Sequence, residues 1–240
     1  MQKDVPQSLR VFLIGGFRVY VGDREVPLGD WRLRKASAAV KLLALAPGFA
    51  LHRDQLLEAL WPDLDPQAAT NNLHQALYFA RKALEPARGR RARSHFLRWA
   101  GDTLRLEAPG GVWVDVAEFE AEAAGTPDPE ALRRAFELYR GELLPGDRYE
   151  DWAAAPREAL RLRFQSVALA LARAAADSGD TSLAERTLHR LLETDRALEV
   201  AHVELIRLYL EAGDRARAAR QYAEMVATLR EELGTEPGPE

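Results

Sequence analysis

The stretch AATNNLHQALYFARKALEP, residues 68–86, decides the fold because it joins an apolar helical stripe to a polar opposite face. Leu73, Leu77, Ala80 and Leu84 recur at the spacing of one helix face, with Ala76 beside them. The opposite face has no carboxylate, whereas a helix that is merely solvated usually mixes Glu and Lys four residues apart. This pattern favours recognition of a polyanion, and simple exposure to solvent is the alternative.

The elements on either side of this stretch predict a winged helix-turn-helix. The helix should begin at Asp65-Pro66, where Asp accepts from free amides and Pro loses no hydrogen bond, and should run over residues 66–84. Two shorter helices are predicted within 31–48 and 52–63, which proline interrupts at Pro47 and Pro62. The segments HFLRW and TLRLE, separated by AGD, predict a hairpin after the helix, and residues 9–28 predict two or three antiparallel strands before it.

The second half of the chain predicts stacked helices. Apolar spacing indicates helices near residues 116–124, 129–141, 156–178, 182–194, 197–212 and 215–233. The turn DSGD ending at Asp180 recurs as EAGD ending at Asp214, a spacing of 34 residues that is the tetratricopeptide period. With that shift Ala184 aligns with Ala218, Leu188 with Tyr222, and Leu191 with Met225. An irregular helical bundle with two coincidental turns is the alternative.

We therefore predict a mainly α fold with a small β component, in two domains. Residues 1–108 form the N-terminal winged helix-turn-helix, and residues 109–240 form an all-α, tetratricopeptide-like helical repeat domain. The halves differ in charge: residues 1–108 hold 17 Lys+Arg and 11 Asp+Glu, net +6, and residues 109–240 are net −10. This asymmetry favours a polyanion as partner of the first half, although ordinary charge scatter is the alternative.

Composition also limits where the protein works. The chain of 240 residues has no cysteine, which excludes disulfides and thiolate metal sites and fits a reducing compartment. No apolar run approaches the roughly 20 residues that a membrane span needs. We expect a cytoplasmic protein without membrane contact.

Candidate contacts to double-stranded DNA follow from this architecture. Amides can present a donor and an acceptor to a base edge, whereas cations pair with phosphates and fix the register of the inserted helix. The predicted base-facing residues are Asn71, Asn72, His74, Gln75 and Tyr78. The predicted phosphate contacts are Arg32, Arg34, Lys35, Arg53, Arg81, Lys82, Arg93 and Arg98, with Arg88, Arg90 and Arg91 in the same basic loop as Arg93.

Enzyme chemistry finds no support in the sequence. The five histidines, His52, His74, His95, His189 and His202, form no HExxH motif and no spacing that would collect a metal. Neither GxSxG nor the phosphate-binding GxxxxGK[ST] occurs. We predict no catalytic residue, no metal site and no cofactor.

Six stretches resemble the SARP-type transcriptional regulators, in which an OmpR/PhoB-like winged helix precedes a bacterial transcriptional activator domain. They are IGGFRVYVGDREVPL (14–28), RKASAAVKLLAL (34–45), RDQLLEALWPDLDPQAATNNLHQALYFARKAL (53–84), VDVAEFE (114–120), GELLPG (141–146) and REELGTEPGPE (230–240). The resemblance implies transcriptional activation by binding of a homodimer to direct repeats in promoter DNA. It also implies that helix 66–84 enters the major groove and that RNA polymerase is a partner.

The same fold also permits a different function. In this alternative the chain is a protein-interaction scaffold of a larger signalling regulator: the winged helix does not read DNA, and the concave repeat surface binds a partner. Fold alone does not separate the two functions. They differ in whether helix 66–84 contacts base pairs.

Overall fold

The computed structural model describes residues 7–87, 89, 92–125, 128–236 and 238. Within these residues the chain forms seven β-strands and nine α-helices in two compact units. Unit 1 comprises residues 1–120 and 140–159, and unit 2 comprises residues 121–139 and 160–240. The predicted fold class is confirmed, because a winged helix-turn-helix with a small β component is followed by helices alone.

A four-stranded sheet opens unit 1. Its order is β3-β2-β1-β7, with antiparallel pairing except for the parallel pair of β1 and β7. Leu9, Val11 and Val19 alternate inward and are fully buried, which is the pattern of a strand with one face on a core. The strands are β1 (Leu9–Phe12), β2 (Arg18–Val21), β3 (Arg24–Glu25) and β7 (Val112–Val114). The antiparallel strands were predicted, and β7 was not.

Three helices and a second sheet complete the winged helix. The helices are α1 (Arg34–Leu45), α2 (Arg53–Leu60) and α3 (Pro66–Leu84). The antiparallel sheet has the order β4-β6-β5, with strands β4 (Ala50–His52), β5 (Leu97–Ala100) and β6 (Thr103–Leu106). The predicted hairpin is confirmed as β5 and β6, the wing, and α3 has its predicted bounds. Strand β4 was missed because three residues carry too little periodicity.

Asp115 fastens the end of the first sheet. It follows β7 directly and begins α4 (Asp115–Ala123). Its buried carboxylate accepts hydrogen bonds from the N–H groups of Leu13 and Ile14 at 2.9 Å and from Val116 at 2.8 Å. Burial raises the pKa of Asp115 to about 6, and these three donors lower it in part. The carboxylate thereby satisfies backbone groups beyond β1 that would otherwise be buried without partners.

Residues 140–159 return to unit 1 and pack against α1 and the end of β1. The N–H of Leu144 donates to the carbonyl of Leu13, and that of Gly15 donates to Glu142, each at 2.9 Å. Lys41 of α1 forms a buried ion pair with Asp147, with Nζ and Oδ2 2.6 Å apart. Three of the family-like stretches, 14–28, 114–120 and 141–146, therefore meet in one place.

The close approach of two loops requires glycine. Gly15 and Gly141 have φ angles of 76° and 153°, which are in the range that favours glycine. A Cβ on Gly141 would lie 3.3 Å from the Cα of Gly15. The two backbones can therefore pair closely only without side chains between them.

The domain boundary predicted between residues 108 and 109 stays a prediction, and it does not coincide with the division of the structure into two compact units. By compactness, residues 109–120 and 140–159 belong with the winged helix in unit 1. The local signal at Pro109-Gly110 marks a turn, whereas the compact unit is defined by contacts between residues far apart in sequence.

The regular secondary structure of unit 2 is helical throughout its described residues. They include α5 (Pro129–Leu138), α7 (Thr181–Thr194), α8 (Glu199–Glu211) and α9 (Arg215–Leu233). Helix α6 spans Asp151–Asp177 and carries Pro156 within it, so the prediction of a helix start at residue 156 was late. None of the helices in the described residues has the length and apolar character to cross a membrane.

The 34-residue repeat has matching geometry. The N–H groups of Asp180 and Asp214 each donate at 2.8 Å to a carbonyl five residues earlier. Each Asp side chain then caps the next helix, accepting from Leu183 and Arg217 respectively. The chain therefore repeats its turn and its cap after 34 residues.

The packing positions of the repeat match only in part. Ala184 and Ala218 are both buried, as are Leu191 and Met225. The alignment of Leu188 with Tyr222 was wrong as a core correspondence, because Leu188 is buried whereas Tyr222 is 54% exposed. In the second copy of the repeat, the side chain at this position on α9 is therefore exposed, whereas in the first copy the corresponding side chain on α7 is packed in the core.

We expect Asp147→Asn to lower the free energy of unfolding of unit 1 by about 3 kcal/mol, because the buried Lys41 charge would lose its counter-charge. All five tryptophans, Trp31, Trp61, Trp99, Trp113 and Trp152, belong to unit 1. Urea denaturation followed by tryptophan fluorescence therefore reports on this unit. The exposed Asp63→Asn is the control and should stay within about 0.5 kcal/mol of the parent. Equal midpoints for the two variants would contradict the role given to the pair.

Candidate nucleic-acid interface

Helix α3 is fixed at both ends by side chains. Asp65 accepts from the N–H groups of Gln67 and Ala68 at 3.1 and 3.0 Å, so it satisfies two free donors of the first turn. At the other end Arg24 of β3 donates to the carbonyl of Leu84 at 2.6 Å, which places a cation at the negative end of the helix dipole. The buried side of the helix comprises Ala69, Leu73, Ala76, Leu77, Ala80, Ala83 and Leu84.

The exposed side of α3 forms one continuous polar stripe. We define the α3 stripe as Gln67, Asn71, His74, Gln75, Tyr78 and Lys82, all of which are exposed. At 3.6 residues per turn these positions span an arc of about 100°. No residue from Pro66 to Leu84 is acidic. The stripe thus offers amide, imidazole, phenol and ammonium groups, none of which would repel a polyanion.

Four of the five predicted base-facing residues lie together on this stripe. Asn71, His74, Gln75 and Tyr78 share it, whereas Asn72 is only partly exposed and lies at its side. Sequence reasoning missed Gln67, whose Nε2 lies 3.5 Å from Oδ1 of Asn71. Its position four residues before Asn71 is the signal that would have identified it.

The cations before and at the start of α1 fall into two groups. Arg32 is exposed and lines a small cleft of about 100 Å³ with Phe79 and Lys82 of α3. Arg34 and Lys35 instead reach the carboxylate of Glu150, at 3.4 and 3.2 Å. Arg32 therefore lies beside Lys82 of the α3 stripe, in a cleft that Asp30 also lines, and the next two cations both pair with Glu150.

The wing carries further predicted phosphate contacts. Arg98 on β5 pairs with Glu107 at 3.5 Å, and Arg53 at the start of α2 pairs with Asp102 in the hairpin turn at 3.4 Å. Arg93 is exposed in the segment before β5. Arg88, Arg90 and Arg91 lie outside the described residues.

Arg105 is a wing cation that sequence reasoning missed. In the strand register it lies directly opposite Arg98, and both side chains are exposed. Like charges directly opposite each other destabilise a hairpin, and Glu107, 3.5 Å from Arg98, supplies an anion within the chain. The alternation Leu104-Arg105-Leu106 could have placed Arg105 on this outer face. The pair makes the outer face of the wing a second cationic surface.

Arg81 holds the wing to α3. Its Nη2 and Nε donate to the carbonyl of Leu97 at 3.0 and 3.3 Å, and the side chain is only partly exposed. Glu85, just after the helix, accepts from the hydroxyl of Ser94 and from the N–H of His95. These contacts set the position of the hairpin relative to α3, so Arg81 differs in role from the exposed Lys82 next to it.

Comparisons with known proteins agree with this architecture. The family model described as the bacterial transcriptional activator domain matches residues 114–240. The structure is similar to that of Mycobacterium tuberculosis EmbR in complex with a low affinity phosphopeptide, with a TM-score of 0.74 and 25% sequence identity. The match covers 97% of this chain and 62% of EmbR, so this chain spans less than two thirds of that protein's length. No curated relative matches the chain.

We expect Arg81→Ala to lower the free energy of unfolding by about 2 kcal/mol, because two charged donors to a carbonyl are lost. Lys82→Ala, its neighbour on the exposed side, should stay within about 0.5 kcal/mol of the parent. Urea denaturation followed by tryptophan fluorescence measures both, and Trp99 on β5 is close to the broken contact. Equal effects of the two substitutions would refute the assignment of Arg81 to the wing.

Proposed function

The chain belongs to the SARP-type transcriptional regulators, the family of the bacterial transcriptional activator domain, and we propose that it activates transcription by binding promoter DNA through α3. In this proposal α3 lies in the major groove and the wing contacts the adjacent backbone. The protein works in the cytoplasm, where it meets promoter DNA and RNA polymerase.

The observation that carries the proposal is the acid-free α3 stripe. The amides of Asn71 and Gln75 can each present a donor and an acceptor, the combination that matches the major-groove edge of adenine. Tyr78 and His74 can donate to base acceptors or phosphates on either side. A capped helix with an apolar inner face holds these groups in fixed positions, which specific readout requires.

Two cationic surfaces supply the sequence-independent part of binding. Arg32 lies beside Lys82 of the α3 stripe, and Arg98 and Arg105 lie on the outer face of the wing. Each phosphate neutralised by such a cation adds affinity that falls as salt rises. These cations would set how tightly the protein holds any duplex, and the amide, imidazole and phenol groups of the stripe would set which duplex it prefers.

The scaffold function remains the competing proposal. It is favoured by a groove of about 410 Å³ in unit 2, lined by charged and polar side chains that include His189, Glu193, Arg196 and Glu224. A scaffold would bind a partner protein there and would ignore duplex DNA. Measurement of DNA binding by the whole chain separates the two.

Gln75→Ala is expected to lower affinity for the preferred site by about 1–3 kcal/mol while hardly changing binding to unrelated sequence, because one base-edge contact is lost. Lys82→Ala should weaken binding to every duplex alike and reduce the salt slope by about one. Fluorescence anisotropy with the promoter region upstream of the protein's own gene, titrated across KCl, measures both. Binding without site preference and without log-linear loss in salt would end the DNA proposal.

The bound species is expected to contain two chains per duplex. One winged helix per chain reads one half-site, so recognition of a direct repeat requires two copies. We propose that unit 2 provides the contact between them. Light scattering of the complex with the promoter duplex gives the stoichiometry, and a single chain on each duplex at saturation would contradict the dimer.

A further inference from the structure

The start of α1 concentrates positive charge where a helix tolerates it least. Arg34 and Lys35 are the first two residues of the helix, and Leu33 before them provides no capping side chain. The free N–H groups of a first turn already carry partial positive charge, so cations there are unfavourable unless an anion is close. An anion close to the start of α1 would therefore stabilise it.

Glu150, just before α6, provides that anion from within the chain. Its carboxylate lies 3.2 Å from Nζ of Lys35 and 3.4 Å from Nη2 of Arg34, and it accepts from the indole of Trp152 at 2.9 Å. Burial alone would raise the pKa of Glu150, but the hydrogen bonds from Trp152 and Lys35 and the two positive charges lower it overall. The group is thus a well-held carboxylate, and its side chain is only 17% exposed.

Arg34 lies close in sequence to a cation at the candidate DNA surface. Arg32 lines the cleft that also contains Lys82 of the α3 stripe, and Arg34 follows two residues later. Consecutive Cα atoms are about 3.8 Å apart, so the Cα atoms of Arg32 and Arg34 are within about 8 Å of each other. The side chain of Arg34 is 78% exposed. A phosphate bound near Arg32 would therefore be within reach of Arg34.

We propose that Glu150 is an internal competitor for DNA phosphate that sets the affinity of the protein for duplexes of any sequence. A carboxylate and a phosphate use the same guanidinium and ammonium donors. Binding of DNA at the start of α1 must therefore draw Arg34 and Lys35 away from Glu150. The free energy of breaking these ion pairs offsets part of the free energy gained from each phosphate contact. This inference rests on the proposed DNA binding and adds a residue that limits it.

A purely structural role explains the pair less well. Residues 140–159 are already fastened to α1 by the buried contact of Lys41 with Asp147, three residues before Glu150, at 2.6 Å. Both pairs of Glu150 are longer, and the one with the mostly exposed Arg34 is of the kind that adds little to stability, whereas the one with Lys35 is partly buried. The Lys41–Asp147 pair holds the segment in place. The pairs of Glu150 are therefore free to exchange their carboxylate for a phosphate.

Glu150→Gln tests the proposal, because the amide still accepts from the Trp152 indole but carries no charge. Fluorescence anisotropy with a labelled duplex of random sequence should show binding about fivefold tighter than the parent in low salt, with a salt slope steeper by about one. Asp151→Asn is the matched control: it removes the same charge one residue away, and Asp151 is exposed. Its affinity should stay within about twofold of the parent, because the carboxylate that pairs with Arg34 and Lys35 is that of Glu150.

A second comparison separates local competition from a general change in charge. In the background Arg34→Gln/Lys35→Gln, the change Glu150→Gln should give no gain, because the donors for which carboxylate and phosphate compete are absent. A gain that persists there, an equal gain from Asp151→Asn, or no gain from Glu150→Gln in a parent that binds DNA would each overturn the inference and leave the proposed function standing. A parent that binds no duplex would instead remove the proposed function, and the inference with it.

Discussion

The buried pair of Lys41 and Asp147 is the contact on which unit 1 depends. It joins α1 to a segment 106 residues later, in surroundings where either charge alone would be costly. The ammonium of Lys41 also lies 4.7 Å from the ring centroid of Phe17, which precedes β2. Lys41 of α1 therefore contacts both the segment before β2 and residues 140–159. Asp115 acts similarly on the first sheet, accepting from backbone donors 101 and 102 residues earlier. Such paired buried groups specify one arrangement, because any shift would leave a charge or a backbone amide without a partner.

Acidic and basic groups are distributed differently over the candidate DNA surface. The α3 stripe contains no carboxylate, whereas the cations around it are partly matched: Arg34 by Glu150, Arg53 by Asp102 and Arg98 by Glu107. Under the proposed function, the groups that would read sequence are thus unopposed, and the cations that would supply only affinity are weakened. A regulator must find one site among many unrelated sequences, so moderate binding to all duplexes is useful to it. The same surface would be poorly suited to a protein that only coats DNA.

The sequence was informative where structure is local. Asp65-Pro66 and the apolar spacing gave the bounds of α3, the hairpin followed from alternation around Ala100-Gly101-Asp102, and the recurring turns gave the helical repeat. It failed where contacts are distant: the parallel partner of β1 and the return of residues 140–159 leave no periodic trace. Pro156 was taken as a helix start, although the helix begins at Asp151. Of the predicted site, the exposed stripe follows from helix geometry, but the counter-charges of Arg34 and Lys35 depend on a residue more than 100 positions away and could not be predicted.

The return of residues 140–159 to unit 1 has a consequence for biogenesis. Because residues 121–139 belong to unit 2, unit 1 is interrupted along the chain and cannot be completed before part of unit 2 has been translated. Until Leu144 and Asp147 have left the ribosome, Leu13 lacks a partner for its carbonyl and Lys41 lacks its carboxylate. Unit 1 of the nascent protein would therefore stay incompletely folded until this later segment has been synthesised. A fragment cut at residue 108 would keep the whole α3 stripe and lose the contacts of α1 and the first sheet with residues 140–159.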